Sequence, residues 1–162
     1  MHLIIDTDPG VDDAHALMAA LAHPDAEVGA IITVVGNVPL VRTTANACTI
    51  LDAMDSDVPV YAGCAQPLIQ ESSWATEFHG KDGLGDAGLV PSTRAIEAEH
   101  GVDALVRMAT ESPGEWTLRV SLQQMLSWPC SMARRSMTVW PVRSDSSTDC
   151  SAPIRPRRAS SA

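Results

Sequence analysis

The sequence predicts an α/β fold, a mainly parallel sheet with flanking helices, incomplete at its C-terminal side. Three observations carry this expectation. Short β-branched runs alternate with helical stripes. The elements follow the order β-α-β-α-β-loop-α-β, which suits parallel strands joined by crossover helices. The first strand ends in a dense group of acids, at the place where open parallel sheets bind ligands.

His2 to Thr7 reads as a short buried strand. A helix follows, since Ala14, Leu17, Met18 and Leu21 recur at i, i+3, i+4 and i+7, and His23-Pro24 stops it. Val28 to Val35 is rich in β-branched residues and short enough for a second buried strand. After Gly36-Asn37-Val38-Pro39, the positions Thr44, Ala47, Cys48 and Leu51 trace a second helix. Val58 to Tyr61 reads as a third strand, and Pro59 points to an edge position or a strand start. Residues 63–91 form a long glycine-rich loop, and a loop of that length in a compact domain is functional or disordered. Val102, Leu105, Val106 and Ala109 mark a third helix, ended by Ser112-Pro113-Gly114, and Glu115 to Val120 begins a fourth strand. No internal repeat is present. Leu122 to Leu126 offers a helix start that Trp128-Pro129 ends early.

Composition narrows the function. With 45% apolar and 19% charged residues, the chain is of the soluble globular class. Its start has only three consecutive apolar residues before Asp6, too few for a signal peptide, and nothing approaches the ~18 apolar residues of a membrane span. Cys48, Cys64, Cys130 and Cys150 show no CxxC pair and no regular spacing, which favours reduced thiols and a cytoplasmic location over a disulfide framework. A net charge of −9 argues against nucleic acid as a partner.

The chain divides by composition. Residues 1–118 hold 18 acids against the four bases Arg42, Lys81, Arg94 and Arg107, a net of −14. Residues 119–162 hold only Asp145 and Asp149 against seven arginines, a net of +5, and ten of the fifteen serines. The second stretch has no sustained period of 2 or 3.6 and fits a disordered Ser/Arg/Pro-rich tail.

The candidate chemistry lies in Asp6-Thr7-Asp8-Pro9-Gly10-Val11-Asp12-Asp13. Four carboxylates within eight residues repel one another unless a cation or protons compensate. Hard oxygen donors favour Ca²⁺ or Mg²⁺ over zinc. Pro9-Gly10 forces a turn that lets Asp8 and the Asp12-Asp13 pair converge. The plainer alternative is that Asp12 and Asp13 cap the helix and complement its dipole. Asn37 taken alone is equally a turn or helix-entry residue, and His79 beside Gly80 a surface loop histidine.

Residues 6–13 resemble the N-terminal signature of the inosine-uridine-preferring nucleoside hydrolases. Thr33-Val34-Val35-Gly36-Asn37, Val60-Tyr61-Ala62-Gly63 and the loop from His79 to Gly85 agree in order and spacing, so the resemblance covers residues 1–118. It implies hydrolysis of the N-glycosidic bond of ribonucleosides to free base and ribose, with Ca²⁺ as cofactor. Asp8 would then bind the metal and act as general base toward water, and Asp13 would be a second calcium ligand. Asp12 would accept hydrogen bonds from ribose hydroxyls, Asn37 would help hold the sugar, and His79 would lie near the base pocket. Asp6 would orient the turn from behind. The implied partner is a small ribonucleoside, with no nucleic acid and no membrane, and members of the family are homo-oligomeric.

Two other readings stand beside this one. Asp6-Thr7-Asp8 has the DxD spacing of a haloacid-dehalogenase-type phosphatase, although Pro9-Gly10 and the nearby Asp12-Asp13 depart from that pattern. Alternatively, the chain is a truncated remnant without catalysis. Where the family continues through Gly-Pro-x-Thr-Asn into an Ala/Leu-rich helix, this chain has Arg119-Val-Ser-Leu-Gln-Gln-Met-Leu126. Read one base earlier, the Gln123–Gln124 junction encodes Thr or Ala, and the Gln124–Met125 junction Asn or Asp. The next junctions permit Ala, Leu, Leu, Ala and Leu. A shifted reading frame over 119–162 is the expected account of the break.

Overall fold

The structure, a computed structural model, describes residues 1–67 and 74–120. The helix start expected at 122–126 and nearly all of the tail expected at 119–162 lie outside the described residues.

Strand β1 (His2–Thr7) leads into helix α1 (Val11–Ala22), followed by β2 (Glu27–Thr33), α2 (Leu40–Ala53) and β3 (Val60–Ala62). A short helix α3 (Thr76–His79) interrupts the long loop, and α4 (Gly101–Glu111) precedes β4 (Trp116–Val120). The four strands form one parallel sheet in the order β3-β2-β1-β4. This is the expected α/β class, with β3 at an edge as Pro59 suggested.

The pleat sends alternate side chains to opposite faces. On one face Ile31 packs with Ala14 and Leu17 of α1 and with Ala47, Cys48 and Leu51 of α2, with Ile5 alongside. On the other, Ile4, Ala30 and Ile32 pack with Tyr61 and with Ala104 and Leu105 of α4. A register shift between Leu3 and Ile4 accommodates the pairing of β1 with β2. Fully burying an aliphatic side chain such as Ile4 or Leu17 contributes roughly 1.5–3 kcal/mol, so these two clusters hold the helices to the sheet.

The helix expected from Val102, Leu105, Val106 and Ala109 forms with Leu105 buried as expected, but its contact face is rotated away from Val106 toward Gly101 and Ala104. Gly101, Ala104 and Leu105 are buried, whereas Val106 is exposed. Gly101 sets this rotation: a Cβ there would lie 2.6 Å from Ile32 Cγ2 and 3.3 Å from the Gly63 backbone. The missing side chain lets α4 approach most closely at its first turn.

β1 lies between β2, its successor in sequence, and β4, which arrives by a crossover. The order therefore reverses at the carboxyl end of β1, the place where open α/β sheets bind ligands. A groove of about 520 Å³ runs beside it, lined by Leu3, Ile5, Ala16, Ala20, Arg119 and Val120 among others. No helix among the described residues is long and apolar enough to cross a membrane.

Candidate active site

Pro9 fixes one backbone dihedral as the chain leaves β1, and Gly10 completes the turn into α1. A side chain on Gly10 would force its neighbours to move. A Cβ would stand 2.6 Å from Asn37 Nδ2 and 2.8 Å from His79 Nδ1, so segments from three parts of the chain meet at this glycine.

Asp8 is 2% exposed and faces the loop after β2. Its Oδ2 accepts the Asn37 backbone N–H at 2.9 Å, and its carbonyl accepts Asn37 Nδ2 at 2.9 Å. Asn37 Nδ2 also donates to Asp13 Oδ2 at 3.1 Å. Asp13 accepts the Thr7 hydroxyl at 3.0 Å on Oδ1 and the Gly10 N–H at 3.2 Å on Oδ2. Asn37 thus joins Asp8 to Asp13. It is not the entry cap of α2, a position held by Pro39.

The helix-capping alternative is part of the same geometry. Asp13, third in α1, closes the first turn on Gly10, and both Asp12 and Asp13 stand where the helix dipole favours negative charge. The two acids then diverge. Asp13 turns inward to Thr7 and Asn37, while the Asp12 side chain is 81% exposed and lies 3.7 Å from His79 Nδ1.

His79 closes the far side. Its Nδ1 accepts the Val11 N–H at 3.2 Å, satisfying one of the open donors at the start of α1. The loop beneath it is knotted by side chains. Asp82 Oδ1 accepts from the Leu84 and Asp86 N–H groups, and Asp86 Oδ1 accepts from those of Lys81 and Asp82.

Asp6 is 1% exposed in the middle of the sheet, between Ile32 and Val120 in register. Burial, and then the nearby Asp6 carboxylate, push the Cys64 thiol above its ordinary value. Cys48 and Cys64 are both free thiols.

The structure therefore brings Asp8, Asp13 and Asn37 together, sets Asp12 and His79 at the rim, and places Asp6 behind them. Sequence reasoning missed Thr7, which orients Asp13, and Asn46, whose amide reaches Pro9. Gly10 was read only as part of the turn-forcing Pro9-Gly10 pair, and the close approach of Gly36 to the Asp8 carboxylate was not foreseen. The absence of a side chain at each was the available signal, because close backbone approach requires it.

Asp8 and Asp13 offer the hard carboxylate oxygens that calcium prefers. Two carboxylates supply fewer than its ~6–8 oxygens. Among the described residues, no group of three or more His, Cys, Asp or Glu side chains is arranged to hold a metal. The donor chemistry fits part of a calcium shell.

The family model described as inosine-uridine preferring nucleoside hydrolase matches residues 3–121. An uncharacterized protein of Schizosaccharomyces pombe is 42% identical over 120 residues, covering 73% of this chain and 39% of that protein. A pyrimidine-specific ribonucleoside hydrolase, RihB of Escherichia coli, is 37% identical over 116 residues, covering 72% and 37%. Among solved structures, a plant nucleoside hydrolase superposes with a TM-score of 0.74 at 35% identity, covering 83% of this chain and 42% of that one. A purine-preferring ribonucleoside hydrolase from Gardnerella vaginalis gives 0.75 at 28%, covering 84% and 44%. The chain spans about two fifths of the length of these relatives.

Proposed function

This chain belongs to the inosine-uridine preferring nucleoside hydrolase family, and on that premise we propose that it carries the first part of a site that hydrolyses ribonucleosides to free base and ribose. The observation that carries the reading is the double grip of Asn37 on Asp8 and Asp13 at the carboxyl end of β1. Family membership favours this reading over the aspartyl-phosphatase alternative.

Asp8 and Asp13 would hold Ca²⁺, which supplies a Lewis acid that lowers the pKa of water. Asp8 accepts a proton from the attacking water as the water oxygen bonds to the anomeric carbon through an oxocarbenium-like state. The C–N bond breaks with its electron pair going to the base, which takes a proton from solvent as it leaves, and Asp8 returns the water's proton to solvent. Asp12, exposed at the rim, accepts hydrogen bonds from ribose hydroxyls. Both hydrogens of the Asn37 amide are engaged by Asp8 and Asp13, so its oxygen is the group that meets the sugar. His79 stands beside the departing base, and Asp6 supports the turn from within the sheet. The named relatives include a pyrimidine-specific and a purine-preferring enzyme, so the proposal stops at ribonucleosides as a class. A cytoplasmic location, read from the unpatterned cysteines, is part of the same proposal.

A second reading concerns this particular chain. The composition break at 118–119 supports the proposal that 119–162 is read in a shifted frame, and the family match ending at residue 121 agrees with it. The chain would then be an inactive remnant of a hydrolase.

The test is to restore the alternative frame after residue 118 and assay the product with inosine and uridine in millimolar Ca²⁺. Ribose release abolished by a chelator is the expected result. A well-folded restored chain with no nucleosidase activity would overturn the reading.

A further inference from the structure

Asn46 lies in the middle of α2 and is 7% exposed. Its side-chain amide spans two segments far apart in sequence. Nδ2 donates to the Pro9 carbonyl at 3.1 Å and to the Asp82 carbonyl at 2.9 Å. An amide NH₂ carries two hydrogens, and each has one of these acceptors.

Both contacts fall at sensitive points. Pro9 is the residue between Asp8 and Gly10, and the Gly10 N–H is the one that Asp13 accepts. Asp82 is the centre of the knot that organises residues 81–86, so anchoring its carbonyl anchors the knot. That knot closes on His79, whose carbonyl accepts the Gly85 N–H at 2.7 Å.

The fit depends on a second residue. Gly83 is buried with φ +87°, and a Cβ there would lie 2.7 Å from Asn46 Nδ2. Leu84, next along, packs against the cluster beneath α1 and α2. The loop is thus seated on α2 by one apolar side chain and one buried amide, and on α1 by His79.

We propose that Asn46 is a positioning residue that locks the His79 loop and the Asp8–Asp13 turn into one unit. Its bearing on catalysis rests on the hydrolase reading above, whereas the lock itself does not. Asparagine suits the position because two carbonyls need two donors. Aspartate has the same shape, but it would set carboxylate oxygens against two carbonyl oxygens and leave both carbonyls without a donor.

The test is residue-resolved amide hydrogen exchange on the full 162-residue chain, without metal, comparing Asn46→Asp with the unsubstituted protein. The lock predicts that exchange rises at least tenfold both at Leu84 and Gly85 in the loop and at Gly10 in the turn. Ile31 and Ile32 in β2 should keep their rates, which a general loss of stability would not allow. Release of the loop without the turn, of the turn without the loop, of neither, or of all three regions alike overturns the proposal. If Asn46→Asp does not fold, the unsubstituted chain decides. Matching denaturant dependence of exchange at Gly10, Leu84 and Gly85 supports the lock, while independent opening or unprotected exchange overturns it. A calcium titration of the same amides in the frame-restored chain separates the two claims. Coupled release with no calcium response leaves the lock standing and counts against the metal assignment.

Discussion

The backbone of Gly36 packs directly against the carboxylate of Asp8, so that a Cβ at position 36 would overlap Asp8 Oδ2. The same oxygen accepts the N–H of the next residue, Asn37, at 2.9 Å. Gly36→Ala should therefore push Asp8 out of its place and break the Asn37 grip. Overpacking of this kind costs about 1–3 kcal/mol, readable as a lowered urea midpoint. In the frame-restored chain, calcium affinity measured by titration should fall by on the order of tenfold for each ~1.4 kcal/mol of lost ligand geometry. Unchanged calcium binding in a destabilised variant would remove Asp8 from the ligand set.

Asp8→Asn tests the proton acceptor. The amide keeps the size of the side chain and can still accept the Asn37 N–H, but it cannot take a proton from water. In the frame-restored chain kcat should fall by roughly 10²–10⁴-fold, the range expected for losing a general base. Activity at the parental level, or activity indifferent to a chelator, would contradict the assignment.

The 162-residue chain itself is expected to release no ribose above blank from inosine or uridine. It is also expected to melt at low temperature or without cooperativity, because stability is only ~5–15 kcal/mol even in complete domains. Resequencing the gene around codons 117–125 addresses the cause directly. A cooperative, calcium-shifted melt together with ribose release would show that the tail belongs to a working protein.

Cys64 reports on Asp6. Burial first, and the Asp6 carboxylate second, raise its thiol, which leaves less thiolate at neutral pH and slows alkylation. Asp6→Asn removes the charge contribution and leaves burial in place. The pH profile of alkylation at Cys64, followed by mass spectrometry, should then shift part of the way toward that of an ordinary thiol. An unshifted profile would mean that the two side chains do not sense each other.

Much of this architecture was legible in the chain because it depends on local rules. β1 and the acid-rich turn were read from a β-branched run followed by Asp8-Pro9-Gly10, and α1 from a clear apolar stripe. The contact face of α4 was not legible. Counting apolar residues found Leu105 but also favoured Val106, whereas close approach at Gly101 turned Ala104 inward and left Val106 exposed. The position of Asn46 was hidden for a similar reason. A polar residue on a helix reads as solvent-facing unless its acceptors are known, and here they come from Pro9 and Asp82. The expected long loop also contained α3, whose four residues are too few to show a helical period.

The sheet order has a consequence for how the chain reaches its fold during synthesis. β1 must pair with Glu27–Thr33 on one side and with Trp116–Val120 on the other. At a translation rate of ~5–20 residues per second, the second partner leaves the ribosome roughly 4–17 s after the first. Throughout that interval, the strand bearing Asp6 and Asp8 has one open edge, and the aliphatic residues beside it lack part of their cover. Parallel pairing over such a sequence separation is intrinsically slow and aggregation-exposed. The strand that starts the site is thus the one whose completion waits longest, so a nascent chain halted within α4 would present β1 as an unprotected edge to chaperones or to other copies of itself.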